Sequence, residues 1–238
     1  MSRAKVVRRT ITAILAVIVA VYGGVWIYAT FINDAPEALT TEDLSDALET
    51  PSNSGNAPET TTVASEQLPQ QWTITEGSEV GYRVAEVLLG VNTEGVGRTS
   101  DVTGSITLDG TTLTEASFIV DVASIRSDDG RRDGQFRGRI MQAEQFPTAE
   151  FTLSAPVELD VSAIDGAVVD IEIAGDLTMH GVTQPVTAQV SAQVEGGRIG
   201  LVGSIHVTFT DFDILDPSLA AVKVEPDGLI EFLLVLSR

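Results

Sequence analysis

Histidine and arginine are the side chains with chemistry to offer here, and both are sparse. His180 lies in Leu177-Thr178-Met179-His180-Gly181-Val182-Thr183, at a strand end before a glycine turn, and His206 lies in a strand in phase with Thr208 and Thr210. Neither has a second histidine, a cysteine or a carboxylate at ligand spacing. Both therefore read as structural hydrogen-bonding residues, with no metal site and no catalytic group expected. There is no Gly-x-Ser-x-Gly elbow, glycine-rich phosphate loop or dinucleotide fingerprint, and no cofactor is expected. The arginines are more specific. Arg126, Arg131, Arg132, Arg137 and Arg139 fall within fourteen residues and make up half of the ten basic residues beyond position 70. Two readings stand: local pairs with Asp128, Asp129, Asp133 and Glu144 on a solvated face, or a site for an anionic head group, which arginine forks suit.

The elements that must position these residues read as β-strands. Val186, Ala188, Val190, Ala192 and Val194 alternate with Thr187, Gln189, Ser191, Gln193 and Glu195, the period of a half-buried strand. That strand runs into Gly196-Gly197, and Asp109-Gly110 offers a second hairpin turn between Ile106-Thr107-Leu108 and a strand over Leu113 to Val122. Further strands are predicted near Thr73–Leu89, Ala149–Leu159, Val168–Leu177, Ser204–Phe212 and Leu229–Leu236. Small inward residues such as Ala188 and Ala192 suit a barrel with a cavity, while a filled two-sheet sandwich has the same alternation. The exception is Ser124 to Phe146. There Phe136, Ile140 and Met141 recur at helical spacing, so a short helix with one apolar and one basic face is predicted.

The N-terminal third is different. Arg3, Lys5, Arg8 and Arg9 precede 24 uncharged residues, Thr10 to Asn33, ending in Trp26-Ile27-Tyr28-Ala29-Thr30-Phe31. A helix of that length covers the roughly 30 Å hydrocarbon core. The basic flank places residues 1–9 in the cytoplasm, 10–33 in the membrane as a single-pass anchor, and the rest outside. A cleaved signal peptide is the alternative, although the run is long for one and its small-residue cleavage cue is weak. Residues 34–70 carry eight acids and no base among Thr, Ser, Pro and Asn, and read as a disordered acidic tether; only Glu42 to Leu48, with Leu44 and Leu48 four apart, suggests a brief helix. Residues 71–238 are the folded domain. The chain's net charge of −20 argues against nucleic acid as a partner, and the absence of cysteine excludes disulfides and thiolate metal sites.

Taken together, several segments resemble the YceI-like family of lipocalin-like, polyisoprenoid-binding proteins. Leu177-Thr178-Met179-His180-Gly181-Val182-Thr183-Gln184-Pro185-Val186 is similar to the family's Leu-Thr-x-His-Gly-Val-Thr-x-Pro-Val. Arg132-Asp133 with Phe146-Pro147-Thr148-Ala149-Glu150-Phe151 is similar to its Arg-Asp and Phe-Pro-x-x-x-Phe signature. Val122-Ala123-Ser124-Ile125 and Ser78-Glu79-Val80-Gly81-Tyr82-Arg83-Val84 match further segments. The chain departs at Gly134-Gln135 and at Thr210-Asp211-Phe212-Asp213. The resemblance implies an all-β fold, an extended antiparallel barrel with one short helix whose apolar lumen holds one long lipid chain. Candidate lumen and mouth residues on this reading are Ala188, Val190, Ala192, Tyr82, Phe118 and Phe151, with Arg131, Arg132, Arg137 and His180 nearer the head group. The expected function is that of a membrane-anchored, extracytoplasmic, non-enzymatic binding protein for an isoprenoid or similar long-chain lipid. A ligand-free structural module of the cell envelope is the alternative.

Overall fold

A computed structural model describes residues 3–27, 35–49, 69–159, 167–219 and 222–238. The helices are α1 (Arg3–Ile27), α2 (Thr41–Glu49) and α3 (Gly130–Gln135), the last running into a π turn, Phe136–Ile140. The strands are β1 (Gln70–Ile74), β2 (Glu79–Leu88), β3 (Val91–Thr99), β4 (Val102–Asp109), β5 (Thr112–Asp121), β6 (Arg126–Ser127) and β7 (Thr148–Leu153). They continue with β8 (Val157–Glu158), β9 (Val169–Met179), β10 (Val182–Glu195), β11 (Arg198–Thr208), β12 (Val222–Val224) and β13 (Asp227–Ser237).

All pairings are antiparallel, and β13 closes the sheet by pairing with β11 on one side and with both β1 and β2 on the other. β1 and β2 lie end to end along that edge of β13. At the break between them buried Ser78 takes the place of backbone: its Oγ donates to Thr75 O at 2.9 Å and accepts from Val235 N at 2.9 Å. β3 and β4 are likewise end to end, pairing with β2 and β1 respectively. The result is an eight-stave barrel, β1–β2, β3–β4, β5, β7, β9, β10, β11 and β13. Closure matters because it leaves no long unpaired edge and encloses one face of every stave.

Tight hairpins follow the glycines: Gly110 (φ +61°), and Gly196 and Gly197 (φ +57° and +77°), sit where left-handed backbone is needed. β3 was not legible as a strand. Its Gly95 and Gly97 weaken the alternation, yet Gly97 is required there, since a Cβ would lie 2.5 Å from Cε1 of the Tyr82 ring on β2. The strand predicted over Ser204–Phe212 ends sooner, with Phe209–Phe212 as a 3-10 turn.

The tether expected over 34–70 is corrected for 35–49. This segment lies against the outer wall of the barrel as a strap. Arg83 donates to Pro36 O at 2.8 Å and Arg98 to Glu37 O at 2.5 Å, and both guanidiniums also hold buried, outward-facing Glu231. α2 then buries Leu44 and Leu48 against Val202, Leu233 and Val235. A Cβ at Gly200 would lie 2.4 Å from Leu44 Cδ1, so that glycine is the seat for the helix. Nine residues are too few for a stable isolated helix. Two buried leucines, at about 1.5–3 kcal/mol each, supply what local propensity does not. Residues 50–68 lie outside the described residues.

α1 is helical over Arg3–Ile27, and its described side chains from Ile11 to Trp26 are almost all exposed. The uncharged part of the helix, 10–27, is eighteen residues or about 27 Å, just short of the roughly 30 Å of a hydrocarbon core. Among the described residues no helix is long and apolar enough to cross a membrane. The rest of the uncharged run, 28–33, lies outside the described residues.

Candidate functional site

Alternation along the staves sends one set of side chains inward, and small ones among them leave the interior open. On β10 these are Ala188, Val190, Ala192 and Val194; on β2 they are Val80, Tyr82, Val84, Glu86 and Leu88. Together with Phe118, Phe151, Ile173, Ile205 and Phe232 they enclose a cavity of about 640 Å³. Its wall along β2, from Val80 to Leu88, is eight residue steps long, or about 27 Å of strand, which a barrel tilt of roughly 40° reduces to about 20 Å.

Polar groups gather at one end, which we call the mouth. It is built by α3 with its π turn, the β2–β3 turn and the segments 209–219 and 222–224. Asp129 caps α3, its carboxylate accepting from Arg131 N at 2.7 Å, and buried Asp133 accepts from Ser127 N and Oγ at 2.8 and 2.7 Å. That anchorage turns Phe136, Ile140 and Met141 into the lumen, the face expected from their spacing. Phe136 stacks on Tyr82 with ring centroids 4.8 Å apart and planes 19° apart. Burial pushes the Tyr82 phenol far above its ordinary pKa, so it stays neutral and presents a hydroxyl to the cavity.

The arginines divide by position. Arg132 lines the cavity, contacts Asp128, and lies 3.6 Å from Glu86, which projects inward from β2. Desolvation raises the Glu86 pKa, and Arg132 opposes that rise. Arg131 also lines the cavity and is exposed. No hydrogen bond or ion pair is made by its side chain among the described residues. Arg137 does not line the cavity; it faces Asp133 at 3.9 Å. Arg139 donates to Asp216 O at 3.1 Å and Pro217 O at 2.6 Å, and Arg126 to Ala123 O and Ile125 O.

His180 is buried outside the lumen. With His180 at φ +52° and Gly181 at +79°, the pair forms the β9–β10 turn. Phe212 O can only accept, so His180 Nδ1–H donates to it at 3.0 Å, leaving Nε2 to accept from Gln142 Nε2 at 3.0 Å. Phe146 packs on the ring at 4.8 Å, and a Cβ on Gly181 would strike the same phenylalanine. The His-Gly pair thus ties the turn to the mouth segment. His206 pairs with Asp227 at 2.7 Å, well exposed. Among the described residues no cluster of His, Asp and Glu is arranged to hold a metal ion.

Of the candidate residues, Ala188, Val190, Ala192, Tyr82, Phe118, Phe151, Arg131 and Arg132 share one cavity, whereas Arg137 and His180 stand outside it. Glu86 was missed, although the signal was present: it is in phase with Val80, Tyr82 and Val84, a carboxylate on the apolar face of its strand.

The comparisons agree with this architecture. A sequence profile described as a YceI-like domain matches residues 72–236. The chain belongs to the YceI-like family. It is 31% identical over 142 residues to a UPF0312 protein of Shewanella denitrificans, covering 55% of this chain and 71% of that protein. A UPF0312 protein of Vibrio vulnificus is 29% identical over 129 residues, covering 50% of this chain and 64% of the relative. Among solved structures, a polyisoprenoid binding domain from Saccharophagus degradans, implicated in plant cell wall breakdown, superposes with a TM-score of 0.55 at 16% identity. The match covers 70% of this chain and 97% of that one. BcnA of Burkholderia cenocepacia gives 0.52 at 21% identity, over 66% and 95%. At such identities the superpositions speak to the fold.

Proposed function

We propose that this YceI-like protein is a membrane-anchored, extracytoplasmic binder of an isoprenoid or similar long-chain lipid, such as a quinone or polyprenyl carrier, serving its storage or transfer. The observation that carries the reading is the lumen: about 640 Å³ walled by apolar side chains, with Tyr82, Glu86, Arg131 and Arg132 gathered at one end. An apolar tail with a polar head has that same asymmetry. Each buried methylene contributes about 0.8 kcal/mol, so binding needs no catalytic group and no cofactor. The polyisoprenoid binding named for the Saccharophagus domain fits the same ligand class.

Anchoring rests on the 24-residue uncharged run and its basic N-terminal flank. Purification of the full chain in mild detergent, native mass spectrometry and lipid extraction test the ligand; a stoichiometric long-chain lipid is expected. A folded protein of bare mass, unable to take up added polyprenol or quinone, would leave the ligand-free envelope module as the better reading. Protease added to spheroplasts tests the topology. The expected product is a barrel fragment cut within 50–68, and protection until the membrane is permeabilised refutes the orientation.

A further inference from the structure

We infer that the mouth of the barrel faces, and inserts leucines into, the same bilayer that holds α1, so that lipid passes between membrane and lumen without crossing water. This rests on the anchored lipid binder proposed above and adds the pose, the contact residues and the route.

The strap supplies the direction. Between Ile27, the end of α1, and Pro36, fixed on Arg83, lie only eight residues, 28–35. Nine peptide steps span at most about 32 Å. The spacer between anchor and barrel is therefore short, in place of the long tether that residues 34–70 suggest. Arg83 pairs with Leu229 near the mouth end of β13, and from there the strap descends to Val235, where α2 sits on Gly200. The chain thus enters from the mouth side. Arg83 is six residues, or about 20 Å of strand, from Leu89 at the mouth, within reach of the spacer. With the opposite end toward the membrane, the chain would have to double back along the length of α2.

The rim supplies the contact. Among the described residues of the barrel, the most exposed large apolar side chains are Leu215 (74%), Leu219 (53%) and Leu89 (43%), and all three are at this end. Two of them are linked through the sheet: Leu219 bridges to Val222, Val222 pairs with Leu88, and Leu89 is next. Arg139 holds the loop between Leu215 and Leu219 through the carbonyls of Asp216 and Pro217. Pro217, Leu219 and Val222 also line the cavity, so the exposed apolar rim and the lumen form one continuous surface. Exposed leucines gathered at one end cost solvation unless something apolar covers them. The rim bears Arg131, Arg139 and Lys223 alongside Asp213, Asp216 and Glu225, so insertion depends on its leucines rather than on net positive charge.

The absence of cysteine makes the test direct. Leu215→Cys, Leu219→Cys and, at the opposite end, Glu195→Cys are each labelled with an environment-sensitive fluorophore in the full chain, reconstituted in phosphatidylcholine vesicles. Labels at 215 and 219 should shift to the blue and be quenched by lipids carrying spin labels in their acyl chains, equally in low and high salt, while the label at 195 stays aqueous. Adding Leu44→Ser and Leu48→Ser, which undock α2, should diminish the quenching while the protein remains in the vesicles. In the unlabelled chain, Leu89→Gln and Leu215→Gln together, neither of them lining the cavity, should slow lipid loading from vesicles at least about tenfold, while loading from detergent is unchanged. A protein that stays with the vesicles after alkaline washing but keeps labels 215 and 219 in water, or embeds label 195 instead, overturns the pose alone. A protein that washes off the vesicles overturns the anchor and the pose with it.

Discussion

Ala188→Phe separates an open lumen from a packed core by the sign of its effect. Ala188 is buried at the middle of β10, with Ile173 and Ile205 opposite it on β9 and β11, and it lines the cavity. In a close-packed interior an added ring costs about 1–3 kcal/mol. In an open lumen the ring has room. About 100 Å² of additional apolar surface at 25 cal/mol per Å² then stabilises the lipid-free protein by up to ~2.5 kcal/mol, an upper bound because the unfolded chain is itself partly collapsed. The same ring displaces about four methylenes of a lipid chain, a loss of ~3 kcal/mol or roughly 200-fold in affinity. Urea unfolding of delipidated protein and titration with a polyprenol or quinone measure the two quantities. The expected pairing is raised or unchanged stability with strongly weakened binding. Lowered stability with unchanged binding would refute the lumen as the ligand site.

Three further outcomes follow from particular contacts. Glu86 binds its proton more tightly in the folded state than in the unfolded chain, so its contribution to stability is fully present below the ordinary glutamate range and is lost as pH rises through its raised value. Wild type should therefore lose stability relative to Glu86→Gln across that interval; parallel urea midpoints from pH 4 to 8 would exclude the effect. Arg131→Gln should lower affinity for a polyprenyl phosphate about two- to fivefold at low salt, with little change for the uncharged alcohol, whereas Arg137→Gln, outside the cavity, should alter neither. Leu44→Ala should destabilise the strap by about 2–5 kcal/mol and expose 35–49 to limited proteolysis while the barrel stays intact; unchanged resistance would show that α2 is not held by this side chain.

Most strands and the lumen-facing set on β10 were legible because strand periodicity is local: alternate residues face alternate sides whatever the partner strand. The mouth helix could be read in the same way from Phe136, Ile140 and Met141, and hairpins from glycines that alone tolerate the left-handed backbone. Tertiary structure decided the rest. β3 is a strand because Gly97 accommodates the Tyr82 ring across the ladder, a contact invisible from one segment. Residues 35–49 are polar enough to read as tether, yet two leucines find a glycine seat on β11, and Arg83 and Arg98 find backbone carbonyls to hold. Five arginines clustered in sequence acquire different tasks: Arg131 and Arg132 at the cavity, Arg137 beside Asp133, Arg126 and Arg139 holding carbonyls. Charge and composition are summed along the chain, whereas desolvation and pairing depend on which groups the closed barrel brings within a few ångströms, and only the fold determines that.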